Sequence, residues 1–108
     1  MDKNIKPVSF EEAEKIITEQ NAVLLDVREE SEFCVMHADG AQCLPVDSID
    51  KTTAGIVIDS AQTPVIVYCK TGSRSSLAAQ RLSALGYKNI YDLGSMVGWP
   101  YGMGYGAY

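Results

Sequence analysis

The sequence predicts one α/β domain, a mostly parallel sheet with helices on both faces. Two short apolar runs, "AVLLDV" at residues 22–27 and "TPVIVYC" at residues 63–69, have the near-continuous pattern of strands covered on both sides. Segments with helical spacing alternate with these runs, and no internal repeat is present, which is the order of a βαβ architecture. With 108 residues, 46% apolar and 21% charged, the chain supplies one core and is too short for two ordinary domains.

The elements follow in order. Ser9 and Glu12 make a capping box with Pro7 just upstream, and Phe10, Ala13, Ile16 and Ile17 recur at helical spacing, so a helix is predicted over residues 10–20. After the strand at 22–27, "REESEFCVMH" forms a short helix with Phe33 and Met36 facing inward, and "CLPV" a small strand. Residues 47–58 favour helical turns over strand. "TPVIVYC" is the strongest strand, opened by Pro64 and filled with β-branched residues, and is placed at the centre of the sheet. Ala78, Leu82 and Leu85 then mark a helix over residues 75–85, and Gly86 followed by Tyr87 supplies its stop signal. "NIYDL" is the final strand, Met96, Val97 and Trp99 pack back on the core, and residues 101–108 are read as a mobile Gly/Tyr tail around a core of residues 5–100.

Charge and cysteine usage narrow the function classes. A formal charge of −5 gives no general attraction to phosphate backbones or anionic lipid, so neither nucleic acid nor membrane is an expected partner and any anion site must be local. Cys34, Cys43 and Cys69 are an odd set without paired metal-type spacing; no disulfide framework, metal or cofactor is expected, and reduced thiols fit better. "MDKNIKPVSF" lacks the apolar stretch of a secretory signal, which favours a cytoplasmic protein.

Cys69 ends the strand placed at the centre, and in open α/β sheets ligands bind beyond the carboxyl ends of the strands. Two readings stand there. Cys69 is a packing residue beside a turn, since free cysteine is often buried, or it is a nucleophile. The residues that follow favour the second. Gly72 lets the loop turn successive N–H groups toward one point, the helix start adds unsatisfied N–H groups, and Lys70 and Arg74 bring full charges. All these groups favour an anion, and thiolate is the nucleophilic form of cysteine. The reading requires amides turned inward and an open path to the sulfur.

"YCKTGSRSSLAAQRLSALGYKNIYDL" resembles the active-site half of a single-domain rhodanese, a sulfurtransferase whose loop reads Cys-x-x-Gly-x-Arg. "LLDVREESEFCVMHADGAQCLP" resembles the other signature of that family, in the right order and at the right separation. The resemblance implies a three-layer α/β/α domain around a five-stranded, mostly parallel sheet. It also implies that Cys69 takes a sulfur from thiosulfate as a persulfide and passes it to a thiol or cyanide, or to a thioredoxin-like or carrier protein. The loop of Lys70, Thr71, Gly72, Ser73, Arg74 and Ser75 then binds the donor and the terminal sulfur. Only four residues, Lys70 to Ser73, separate Cys69 from Arg74, one fewer than in the related phosphatases and arsenate reductases, so the ring suits one sulfur rather than a tetrahedral oxyanion. A sulfur-relay module and, less favoured, a phosphatase-like hydrolase are the alternatives.

Around the loop, Asp26 and Arg28 are expected to support it through hydrogen bonds, and Glu32 is placed to pair with Arg28 at i, i+4. His37, the sole histidine, is read as structural, because a preformed thiolate needs no base. Met36, Ala38, Asp39 and Ser95 depart from the family pattern. Cys34 and Cys43 are read as packing thiols, with a reaction between either one and Cys69 left open. Tyr68 is read as a plain strand residue.

Overall fold

The computed structural model describes residues 2–106. Strand β5 (Val65–Cys69) is its centre: all five residues are buried, and parallel neighbours lie on both sides. One neighbour is β2 (Val23–Asp26), which leads to β4 (Gln42–Cys43); the other is β6 (Ile90–Ser95), which leads to β1 (Ile5–Pro7). The five-stranded sheet therefore runs β1-β6-β5-β2-β4, with every pairing parallel.

Side chains alternate across a strand, so β5 feeds two separate cores. Val65, Val67 and Cys69 join Leu25 and Val27 beneath helices α3 (Lys51–Val57) and α4 (Ser73–Ala84), meeting Ala54, Ala78, Ala79 and Leu82. Ile66 and Tyr68 face the opposite way, toward Ala13 of α1 (Phe10–Gln20), Phe33 of α2 (Glu30–Val35) and Trp99. This is the three-layer α/β/α arrangement. A 3₁₀ turn at Val46–Ser48 precedes α3, so residues 47–58 are helical turns as read from the sequence.

Local signals set the helix ends. The Ser9–Glu12 capping box is formed, and α1 covers the residues predicted for it. At the end of α4 the Tyr87 N–H donates to the Leu82 carbonyl at 3.2 Å and the Gly86 N–H to the Ser83 carbonyl at 3.0 Å, the paired bonds of a Schellman stop. α4 begins at Ser73 rather than 75, because Gly72 at φ +103° turns the chain directly into it.

The structure corrects four local expectations. Met36 does not face inward; it is 39% exposed just past the end of α2. The small strand is Gln42–Cys43, one residue earlier than "CLPV". Strand β1 has no counterpart in the sequence reading. Finally, the tail is not wholly free: β7 (Met103–Gly104) pairs antiparallel with β3 (His37–Ala38), and Asp39 donates its N–H to the Gly102 carbonyl at 3.0 Å. The last two residues of that segment, Ala107 and Tyr108, lie outside the described residues. Among the described residues no helix is long and apolar enough to cross a membrane.

Candidate active site

The carboxyl ends of β2, β5 and β6 converge on one edge of the sheet. An extra residue in β6 shifts the register, pairing Val67 with Asp92 but Tyr68 with Gly94, and thereby sets Ser95 opposite Cys69. Gly94 makes that bulge at φ +78°, a conformation that glycine adopts freely.

From Cys69 the chain curls back over its own side chain. Sγ accepts hydrogen bonds from the N–H of Gly72 at 2.9 Å and of Ser75 at 3.3 Å, at the start of α4. The expected set of donors ran from Lys70 to Ser75; these are the two that reach the sulfur. The curl is tied twice. The Ser75 hydroxyl donates to the Gly72 carbonyl at 3.0 Å, and the Ser95 hydroxyl donates to the Lys70 carbonyl. Ser95, noted from the sequence only as a departure, thus fixes the first peptide of the loop.

Cys69 itself is 0% exposed, contrary to the open path that the sequence reading required. The reason is geometric: Sγ turns toward α4, while Lys70, Thr71 and Ser73 lie outside as exposed cover. Any reagent must displace part of this cover.

The cations are arranged differently from the expectation. Arg74 makes a two-point ion pair with Glu32 of α2, Nη1–Oε1 at 2.6 Å and Nη2–Oε2 at 3.1 Å. That contact, chiefly, draws the Glu32 carboxyl down to about 2, and raises Arg74 in turn. Glu32 therefore does not pair with Arg28, which is held by Asp26 instead. The Asp26 carboxylate takes the Arg28 Nη2 at 2.6 Å, its Nε at 3.0 Å, its backbone N–H at 3.0 Å and the Tyr68 hydroxyl at 2.7 Å. Arg28 also donates to the Met36 carbonyl at 2.6 Å, and the Tyr68 hydroxyl accepts the Ala38 N–H at 3.0 Å. Burial, and then the Asp26 charge, push the Tyr68 phenol well above its usual range. Asp26 and Arg28 thus do not bond the Cys69 loop; they lock Tyr68, the residue before the cysteine, to the turn after α2. No sequence signal links Tyr68 to Asp26 across 42 positions.

The remaining candidates lie apart. His37 stacks on Phe33 with ring centroids 3.8 Å apart, and its Nδ1 meets the Phe33 carbonyl at 2.9 Å, so this nitrogen carries the proton and the ring is a packing group. Cys43 packs against the Arg28 carbonyl, and burial lifts its thiol to about 11, which makes it a poor nucleophile. Cys34 is exposed on α2.

Beside the loop lies a cavity of about 480 Å³ with walls of Val35, Met36, Met96, Val97, Trp99 and Met103. Arg28, Glu32 and Lys70 also border it, and the Met96 N–H donates to the Cys69 carbonyl at 2.9 Å. Trp99 is packed edge-on against Phe10 and Tyr101, and its buried indole N–H has no hydrogen-bond partner among the described residues.

The chain is similar to known proteins. The chain is 31% identical over 93 residues to a protein of Tolumonas auensis named thiosulfate sulfurtransferase GlpE, covering 85% of each. It is 33% identical over 110 residues to the thiosulfate:glutathione sulfurtransferase of Saccharomyces cerevisiae, covering 89% of this chain and 78% of that one. A tRNA uridine(34) hydroxylase of Protochlamydia amoebophila is 32% identical over 96 residues, but the chain spans only 29% of its length. A solved structure titled rhodanese with anions from E. coli superposes with a TM-score of 0.71 at 26% identity, covering 79% of this chain and 99% of that one. The family model described as the rhodanese-like domain matches residues 9–100, and the chain belongs to that family.

Proposed function

We propose that this protein is a sulfurtransferase that moves a sulfane sulfur through a persulfide on Cys69. The observation that supports this most is the pair of amides, Gly72 and Ser75, aimed at a single sulfur atom where the central strand meets α4. Inorganic thiosulfate is the simplest donor, given the names of the relatives. The Cys69 thiolate attacks the outer sulfur of thiosulfate, an S–S bond forms, and the original S–S bond breaks with its electron pair leaving on sulfite. The product, Cys69–S–S⁻, is a terminal anion suited to inward N–H groups and to the positive end of α4. A thiol, cyanide or a carrier protein's thiolate then attacks the outer sulfur and restores the Cys69 thiolate. No cofactor enters either step, and a reducing compartment suits the three free thiols.

Because Cys69 has no open surface, the loop opens before the donor reaches it. The Ser95–Lys70 and Ser75–Gly72 ties are the side-chain bonds that hold it closed. The same closure favours a second reading, a sulfur-relay module whose donor is another protein's persulfide that displaces the cover on docking. Steady-state kinetics separate the two. A thiosulfate enzyme gives parallel double-reciprocal lines for thiosulfate and acceptor, the mark of covalent ping-pong chemistry, and Cys69→Ser abolishes sulfite release. A relay module turns over poorly with thiosulfate and loads readily from a persulfide protein.

A further inference from the structure

We infer that Ser95 is a positioning residue for the reaction at Cys69: its hydroxyl latches the loop shut, and release of that latch sets how often a sulfur donor or acceptor reaches the thiol. This inference rests on the sulfurtransferase reading and names what governs access to that site. The two ends of the loop are held unequally. The far end is anchored twice, since Arg74 grips both oxygens of Glu32, and α4 buries Ala78, Ala79 and Leu82 in the core. The Ser75–Gly72 bond lies inside the first turn of α4 and moves with that helix. The near end, Lys70 and Thr71, is exposed. The Ser95 hydroxyl ties it to the sheet by donating to the Lys70 carbonyl, and among the described residues no other side chain bonds Lys70 or Thr71 to the sheet.

Ser95 holds that carbonyl because its own side chain is fixed. The register shift in β6 sets it opposite Cys69, and the Val97 N–H donates to its oxygen at 3.1 Å, which leaves the hydroxyl hydrogen for Lys70. Breaking the bond to Lys70 frees the peptide that follows, and Gly72, at φ +103°, is the pivot on which Lys70 and Thr71 swing away from Sγ. Both bonds of Ser95 lie at the surface, where water replaces a lost partner, so opening at this end is local and leaves the core intact. With the loop closed Cys69 is 0% exposed, so the open population is the reactive one, and the apparent affinity for any reagent scales with the open fraction.

The test compares wild type with Ser95→Ala, which removes the hydroxyl, and Ser95→Thr, which keeps one. Iodoacetamide reads access without any turnover: mass spectrometry of the peptides follows alkylation of Cys69, with the exposed Cys34 as internal reference. Ser95→Ala is expected to be alkylated at Cys69 about threefold to tenfold faster, the range of one hydrogen bond, with Cys34 unchanged and Ser95→Thr close to wild type. With thiosulfate as donor and cyanide as acceptor, Ser95→Ala should lower the KM for thiosulfate by a similar factor while kcat stays within about twofold. Alkylation of Cys69 in Ser95→Ala within about twofold of wild type overturns the inference, as does faster alkylation that Ser95→Thr shares, or a fall in kcat with KM unchanged. Faster alkylation in Ser95→Ala alone, with no sulfur on Cys69 from thiosulfate or from a persulfide-bearing protein in any variant, supports the latch and overturns the sulfurtransferase reading instead.

Discussion

The Arg74 guanidinium holds both carboxylate oxygens of Glu32, at 2.6 and 3.1 Å, and so joins the Cys69 loop to α2. A residue read from the sequence as a donor-binding cation is engaged within the protein. Glu32→Gln removes that anion, and the freed Arg74 is expected to lower the KM for dianionic thiosulfate by about threefold to tenfold, a change in binding worth on the order of 1 kcal/mol.

The same pair predicts an acid response. The Glu32 carboxyl is drawn down to about 2 in the fold from an ordinary value near 4.5. Its contribution to stability is therefore fully present above the unfolded value and is lost as pH falls from there through about 2. Both side chains are about a third exposed, so the contribution is about 1 kcal/mol or less. Urea unfolding of wild type and Glu32→Gln at pH 6 and pH 2.5 checks this: the wild-type advantage should shrink at the lower pH.

Tyr68, Asp26 and Arg28 should behave as one unit. Tyr68→Phe leaves the Asp26 Oδ2 and the Ala38 N–H short of a partner and is expected to cost about 1–3 kcal/mol. Asp26→Ala leaves a buried guanidinium uncompensated and is expected to cost about 3–5 kcal/mol. In equilibrium denaturation the double variant should lose less than the two single losses added together, since the residues share a network.

Gly72 is the hinge of the sulfur cradle. At φ +103° an L side chain is strained by about 1–2 kcal/mol, and relief of that strain rotates the N–H that donates to Sγ. Gly72→Ala is expected to lower the rate of sulfur loading by about tenfold or more while the melting temperature falls only modestly. Stopped-flow loading and calorimetry together read both effects.

Gly104 tests the β3–β7 pairing. A Cβ there would meet His37 Nε2 at 2.6 Å, and that ring is fixed by its stack on Phe33. Gly104→Ala should therefore dislodge β7, raising the hydrogen-exchange rate of the Asp39 amide by about tenfold or more while Val67 in β5 keeps its protection.

What could be read in advance follows the range of the forces involved. α1, α4 and β5 were legible because capping residues, helical spacing and a β-branched run act within one element. The position of Cys69 at a central strand end followed from that, as did the two inward amides from Gly72 and the helix start. β1, β3 and β7 were not legible: each has two or three residues and gains its identity from a partner far along the chain. The Glu32–Arg74 and Asp26–Tyr68 contacts each span 42 positions, whereas i, i+4 spacing points Arg28 toward Glu32. The closure over Cys69 depends on which way one side chain turns at a loop, which composition and spacing do not encode.

The central claim is that Cys69 accepts a single sulfur. Intact mass followed by peptide mapping of the protein before and after incubation with thiosulfate, and with a persulfide-bearing protein, tests it most directly. The account predicts a gain of one sulfur atom on the peptide containing Cys69, reversed by cyanide and absent in Cys69→Ser. An unmodified Cys69 with both donors, or a sulfur found on Cys34 or Cys43 instead, would contradict it.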